Sequence, residues 1–352
     1  MTVPANRTDA ARADATDQPP LPDQRDVYLA RARVMPYVRR TPLIPSPALS
    51  ALAGASVHLK LENLQRTGAF KVRGAANKLL SLSDDERGRG VVTASSGNHG
   101  LALAYVAGRL GIRATVVVSK RVPPAKTGRI AALGAELVVH GSSYDEAEVY
   151  SRVLARELGL TRIYPDDDPF IMAGQGTIGL ELLEDLPEID TVVVPVGGGG
   201  LISGIATALT AADQAIQVVG VSMARAPVMI ESLKAGQPVG MAELQTLADG
   251  LAGGIGLDNR YTFRACRALV DQTFVVTEDQ IAVAMARMFH EHHLVVEGAG
   301  AVGIAALLAG IVVPLGRHVT IIVSGGNVDA AVLARIHRRW LEGRYRPAHS
   351  SG

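Results

Sequence analysis

The chain of 352 residues holds one cysteine, Cys266. No internal disulfide can form, and the helical pattern around it, "YTFRACRALV", offers no His or Cys at metal spacing. It reads as a packed thiol. Charge of one sign is also missing: 35 basic residues stand against 34 acidic ones, net +1, with no run of five like charges. That balance excludes a surface built for nucleic acid or an anionic membrane and points to a small neutral or zwitterionic partner. A secretory apolar block is absent as well. Residues 1–26 are rich in Pro, Asp, Ala and Thr and are expected to form a disordered tail. Two uncharged stretches, Thr191 to Ala212 and Gly298 to Leu315, approach membrane-spanning length, yet Gly and Ala dominate both and proline interrupts each. Buried strands followed by buried helices give the same profile, so the expectation is a soluble, cytoplasmic protein with no membrane partner.

What is present is apolar and rhythmic. At 48% hydrophobic, the chain can bury a large core, and its length suits two compact lobes. From Val57, short β-branched runs alternate with helical patterns: "VHLKLE", "GAANKLLSL", "GVVTAS", "HGLALAYVAGRL", "ATVVVS", "AKTGRIAALG", "ELVVHG". This predicts parallel sheet with crossover helices. Ser143 with Glu146, and Thr277 with Gln280, mark helix starts. Acidic and proline residues in "YPDDDPFIMAGQG" interrupt the rhythm before a second series opens with "TVVVPVGGGG" and runs through "IQVVGVS", "TFVVT" and "HVTIIVSGGN". There is no internal repeat.

Four loops fall where strand patterns stop, the place at which open parallel sheets bind ligands. The tetraglycine Gly197 to Gly200 opens the helix "LISGIATAL", so its amides can approach an anion on the helix's positive end. The dinucleotide fingerprint is excluded because no acidic residue ends the next strand, and the nucleotide P-loop because no Lys-Ser/Thr follows. A plain Gly-rich turn is the alternative. "SSGNHG", Ser95 to Gly100, places hydroxyls and amides at another helix start, suited to a carboxylate, or simply to capping. Lys71 follows Phe70 in "QRTGAFKVRGA". In such surroundings an ammonium loses hydration, which favours the neutral amine and its attack on a carbonyl. Snorkelling, or pairing with Glu62, is the bland alternative. Lysine, phosphate cradle and carboxylate loop together ask for an aldehyde that carries a phosphate.

In their order and spacing, "LENLQRTGAFKVRGA", "SSGNHG", "GGGGLISG", "EGAGAV" and "SGGN" closely resemble the pyridoxal-phosphate fold type II family, specifically its threonine and serine dehydratases and serine racemases. The likeness runs from Val27 to Arg335. "TLADGLAGGIGLDNRYTF" looks most like the dehydratases associated with hydroxyectoine breakdown. The resemblance implies a tryptophan-synthase-β-like α/β fold: two open parallel-sheet α/β domains with pyridoxal 5'-phosphate in the cleft between them. It divides the chain into a large cofactor domain, 27–80 with 166–336, a small mobile substrate domain, 81–165, and a C-terminal tail, 337–352. It also implies a homo-oligomer, dimer or tetramer.

Carried over by residue, the resemblance makes Lys71 the cofactor-bearing lysine and the base for the substrate Cα proton. Phe70 packs on the cofactor ring, Asn98 meets its phenolic oxygen, and Ser324 faces its nitrogen. Gly197, Gly198, Gly199, Gly200 and Leu201 hold the phosphate, and Glu297 stands behind the ring's contacts. Ser95, Ser96, Gly97, Asn98 and His99 take the substrate carboxylate, with Ser96 where racemases place a second acid/base. A serine at the ring nitrogen makes a weaker electron sink than a carboxylate would, which favours loss of a β-hydroxyl. The implied reaction turns a 3-hydroxy-L-amino acid, of threonine, serine, 3-hydroxyaspartate or hydroxyectoine-derived type, into a 2-oxo acid and ammonia. Racemisation is the near alternative. A nicotinamide-dependent oxidoreductase and a non-catalytic small-molecule sensor are the distant ones.

The sequence departs from the family pattern in places. Ala69 stands where relatives carry serine, and Ser222, Met223, Ala226 and Val228 supply no carboxylate where many relatives bind a divalent cation, so no metal is expected there.

Overall fold

The computed structural model describes residues 18–95, 97–120, 122, 124–311 and 316–345. Ten strands divide between two sheets: β1 Leu43–Pro45, β2 Ser56–Leu61, β3 Val91–Ala94, β4 Ala114–Val118, β5 Glu136–Val139, β6 Thr161–Arg162, β7 Thr191–Pro195, β8 Gln217–Met223, β9 Gln272–Val276 and β10 His318–Val323. Six form one sheet in the order β1-β2-β10-β7-β8-β9, and four form the other as β5-β4-β3-β6. Strands β3, β4 and β7 are buried along their whole length, as strands covered by helices on both faces must be.

Every pairing is parallel except β1 with β2, which is antiparallel. The expected parallel sheets are present, with one antiparallel edge pair added. Three residues that include a proline, "LIP", can only serve as an edge, and the short link Ser46–Ala55 gives no room for a crossover.

Helix Lys71–Ser81 carries the chain from the six-stranded sheet to the four-stranded one, and helix Pro169–Asp185 brings it back. The two pack with their backbones nearly in contact: a Cβ on Gly174 would lie 2.6 Å from the Gly74 Cα. Only glycine fits there.

The helix caps are sequence-encoded. Thr277 and Gln280 form a reciprocal box, and Ser143 Oγ accepts the Glu146 amide.

Helices reach into both segments expected as tails. Helix Gln24–Val34 starts inside residues 1–26 because Asp23 and Asp26 cap it reciprocally and Val27, Ala30 and Val34 are buried. Helix Ala330–Leu341 runs past residue 336, with Ile336 buried and Trp340 and Tyr345 packed on the larger core.

Candidate active site

The predicted loops are stitched to one another before any ligand is considered. Ala69 and Gly325 form an isolated bridge, the Phe70 amide donates to the Ser324 carbonyl at 3.0 Å, and the Gly326 amide donates to the Gly68 carbonyl at 2.9 Å. The lysine loop and the "SGGN" loop are therefore one rigid unit. Ser324 is buried at 2% exposure.

Lys71 is the first residue of its helix. Its Nζ lies 5.2 Å from the Phe70 ring centroid, donates to the Pro165 carbonyl at 2.9 Å, and meets Asp166 Oδ1 at 2.6 Å. The apolar setting expected from Phe70 is thus incomplete, because a carboxylate stands directly against the amine. Glu62 makes no such pair: Arg73 takes both its oxygens, at 2.9 and 2.7 Å. Burial alone would lift the Glu62 carboxyl, but the Arg73 guanidinium outweighs it and holds the group below the usual carboxylate range.

The tetraglycine lies between β7 and helix Gly200–Ala212, with Gly199 at φ +90°. A Cβ on Gly198 would fall 2.5 Å from Asp166 Oδ2, and one on Gly200 would fall 2.9 Å from Asp166 Oδ1. Among the described residues no protein oxygen accepts the amides of Gly198, Gly199 or Gly200. Leu201 is buried at the helix's first turn.

Helix Asn98–Leu110 begins after Gly97, whose amide reaches Ser95 Oγ at 3.4 Å. Ser96 lies outside the described residues. Asn98 is fixed at both ends of its amide: Nδ2 donates to Glu297 Oε1 at 2.7 Å, and Oδ1 accepts from Asn327 Nδ2 at 2.7 Å. His99 is buried, and neither ring nitrogen meets a partner in good hydrogen-bond geometry, the Ile163 backbone being the nearest approach to one. Burial first, then the nearby Lys71 ammonium, push its imidazole down to about 3, against weaker pulls from Asp166 and the Ile163 backbone. The ring is neutral at pH 7. Cys266 is the packed thiol expected, pushed up to about 12 by burial and by Asp166.

One cavity of about 610 Å³ is lined by every described site residue named from sequence except Gly200. A neighbouring cavity of about 520 Å³ shares Glu297 and Asn327 but not Lys71 or the glycines. Three residues of the site were missed. Asp166 opens an acidic run read only as a lobe change. Asn327 ended a quoted motif without a role, and it donates to Thr67 O and Asn98 Oδ1 while accepting from Arg129 Nη1 at 2.9 Å. Arg129, the third, lines the cavity from the four-stranded side. The usable signal for Asp166 was its place just past β6, at a carboxyl end of a parallel sheet. Among the described residues no group of three His, Cys, Asp or Glu is placed to hold a metal ion, and no helix is long and apolar enough to cross a membrane.

The residues present fit an aldehyde phosphate. A buried amine stands beside a loop whose unclaimed amides lie at a helix start, and any Cβ on that loop would strike its neighbours.

Comparison with known proteins agrees. Residues 34–325 match the family model described as pyridoxal-phosphate dependent enzyme. A Sinorhizobium fredii protein provisionally named a threonine dehydratase is 46% identical over 314 residues, 89% of this chain and 93% of that one. The L-threonine ammonia-lyase of Thermotoga maritima is 42% identical over 316 residues, 90% of this chain and 78% of that one. Among solved structures, maize serine racemase superposes with a TM-score of 0.84 at 36% identity, covering 93% of this chain and 100% of that one. With Lys71, the tetraglycine and residues Ser95 and Gly97 to His99 lining one cavity, the chain belongs to the pyridoxal-phosphate-dependent enzyme family and has its fold type II architecture.

Proposed function

We propose that this enzyme is a dehydratase of the ammonia-lyase type, eliminating water from a 3-hydroxy-L-amino acid to give a 2-oxo acid and ammonia. The observation that carries the reading is that one carboxylate, Asp166, touches both the Lys71 amine and the tetraglycine, so amine and anion cradle lie within a few ångströms of each other. The names of its curated relatives support the reaction class.

In this reading Gly197 to Leu201 hold the cofactor phosphate, Phe70 packs on the ring, and Ser324 serves its nitrogen. Asn98, locked by Glu297 and Asn327, serves the phenolic oxygen. When bound, pyridoxal phosphate supplies the electron sink that acidifies the substrate Cα. Lys71 takes the Cα proton. Ser95 and the amides from Gly97 to His99, at a helix start, hold the substrate carboxylate and so orient the Cα–H bond. His99, neutral and buried, adds no charge to that pocket. Ser96, outside the described residues, takes by family resemblance the second acid/base role that racemisation needs. We also read the protein as a dimer or tetramer, to be checked by light scattering.

The test is an ammonia-release screen across serine, threonine, both 3-hydroxyaspartates and hydroxyectoine-derived diamino acids. Release from at least one is expected. Deuterium exchange at Cα without ammonia would shift the reading to racemisation, which the likeness to maize serine racemase favours as the second choice. Purified protein should absorb in the visible, and Lys71→Ala should lose that absorption while its melting temperature holds. An unchanged spectrum would remove Lys71 from its role.

A further inference from the structure

We infer that Asp166 is a positioning residue for Lys71: its carboxylate holds the amine in place and stabilises the ammonium formed when Lys71 takes the substrate Cα proton. This rests on Lys71 being the cofactor-bearing amine, as proposed above. Three acids follow one another at this corner, and two are engaged elsewhere. Asp167 accepts from the amides of Arg260, Tyr261 and Thr262. Asp168 caps helix Pro169–Asp185 and pairs with Lys78 at 2.6 Å. Asp166 alone faces the amine, and it is the only carboxylate within ion-pair distance of Lys71 among the described residues. Its neighbours fix it there, since the Asp168 amide donates to its carbonyl at 2.9 Å.

Among the described residues, His99 and Cys266 feel the pair from other elements, and both are neutral at pH 7. No other described carboxylate lies within ion-pair distance of the lysine. The proton leaving Cα ends on Nζ, and the electron pair left on carbon forms the double bond that expels the β-hydroxyl. A carboxylate 2.6 Å from Nζ favours the protonated product of that transfer.

The same carboxylate works against cofactor capture, for two reasons. It keeps the resting amine as an ion pair, and only the free amine attacks an aldehyde. It also lies against Gly198 and Gly200, where an anion would bind. Removing its charge therefore has opposite effects on two measurable steps, a signature that general loosening of the site would not give.

The experiment compares apoprotein and reconstituted enzyme for wild type, Asp166→Asn and Asp166→Glu at pH 7.5. Capture of pyridoxal phosphate by apoprotein is followed by absorbance, and turnover by ammonia release. Because the amine must leave its ion pair before it attacks the aldehyde, and because the carboxylate lies against Gly198 and Gly200, Asp166→Asn should capture pyridoxal phosphate several-fold faster. Its kcat should fall by a similar factor with KM little changed, and Asp166→Glu should stay nearer wild type in both. Slowing of both steps in Asp166→Asn, or a change in neither, overturns the inference. Because capture needs no substrate, a wrong substrate class leaves that arm intact. If Lys71 does not carry the cofactor, wild type itself shows no capture.

Discussion

A carboxylate introduced at Gly198 would share its space with Asp166, whose Oδ2 lies 2.5 Å from where a Cβ would begin. It would also face whatever anion the tetraglycine binds. Unit charges about 4 Å apart at a partly screened site repel by on the order of 4 kcal/mol. Gly198→Asp should accordingly weaken pyridoxal phosphate binding by about a hundredfold or more, measured by fluorescence titration, with the melting temperature used to show that the fold survives. Undiminished affinity would take the phosphate away from this loop. His99 makes a different prediction. Unfolded, its imidazole protonates at 6.5; folded, it does so only at about 3. Between those values the unfolded chain binds the extra proton, so this contribution to stability is complete above pH 6.5 and declines as pH falls toward 3. At pH 5 it amounts to about 2 kcal/mol. Urea unfolding at pH 7 and pH 5 should show that loss in wild type and not in His99→Gln; equal pH slopes would contradict it. Lys71, the glycines and the "SSGNHG" residues were legible because special backbone and a lysine in a small-residue run are local signals. Asp166 was not, because its meaning depends on a contact 95 residues away.

The helix that carries Lys71 is held by ionic contacts that no periodicity reveals. Arg73, one of the most deeply buried side chains, bonds Glu62 and Glu181, and Glu181 also pairs with fully buried Lys60 at 2.7 Å. Charges this deep are tolerated only as a balanced set. Glu62→Gln would leave the Arg73 guanidinium half-compensated and should cost about 3–5 kcal/mol in urea unfolding. A loss below 1 kcal/mol would mean that the network is better hydrated than its burial indicates. The strands around it were easier to foresee. "TVVVPV", "ATVVVS" and "HVTIIV" are β-branched runs long enough to declare themselves. Strand β1 is three residues with a proline, below any length at which alternation can be read, and only its partner β2 makes it a strand.

Between the two sheets, the cavity is bridged by a few polar bonds. Asn98 belongs to the four-stranded side and reaches Glu297 and Asn327 on the other; Arg129, also from the four-stranded side, reaches Asn327. Two of these three bonds depend on one side chain. Such bonds contribute about 1 kcal/mol each in net terms, too little to decide whether the chain folds but enough to set how often the units part. Asn327→Ala should therefore leave the global melting temperature nearly unchanged while raising amide hydrogen exchange in residues 98–110 by roughly tenfold or more. Exchange in β7 and β10, which are buried in the larger sheet's centre, should not respond. If those strands exchange faster as well, the loss is of the whole fold. If residues 98–110 are unaffected, the contacts between helices Lys71–Ser81 and Asn98–Leu110, rather than the polar bridge over the cavity, hold the two units together.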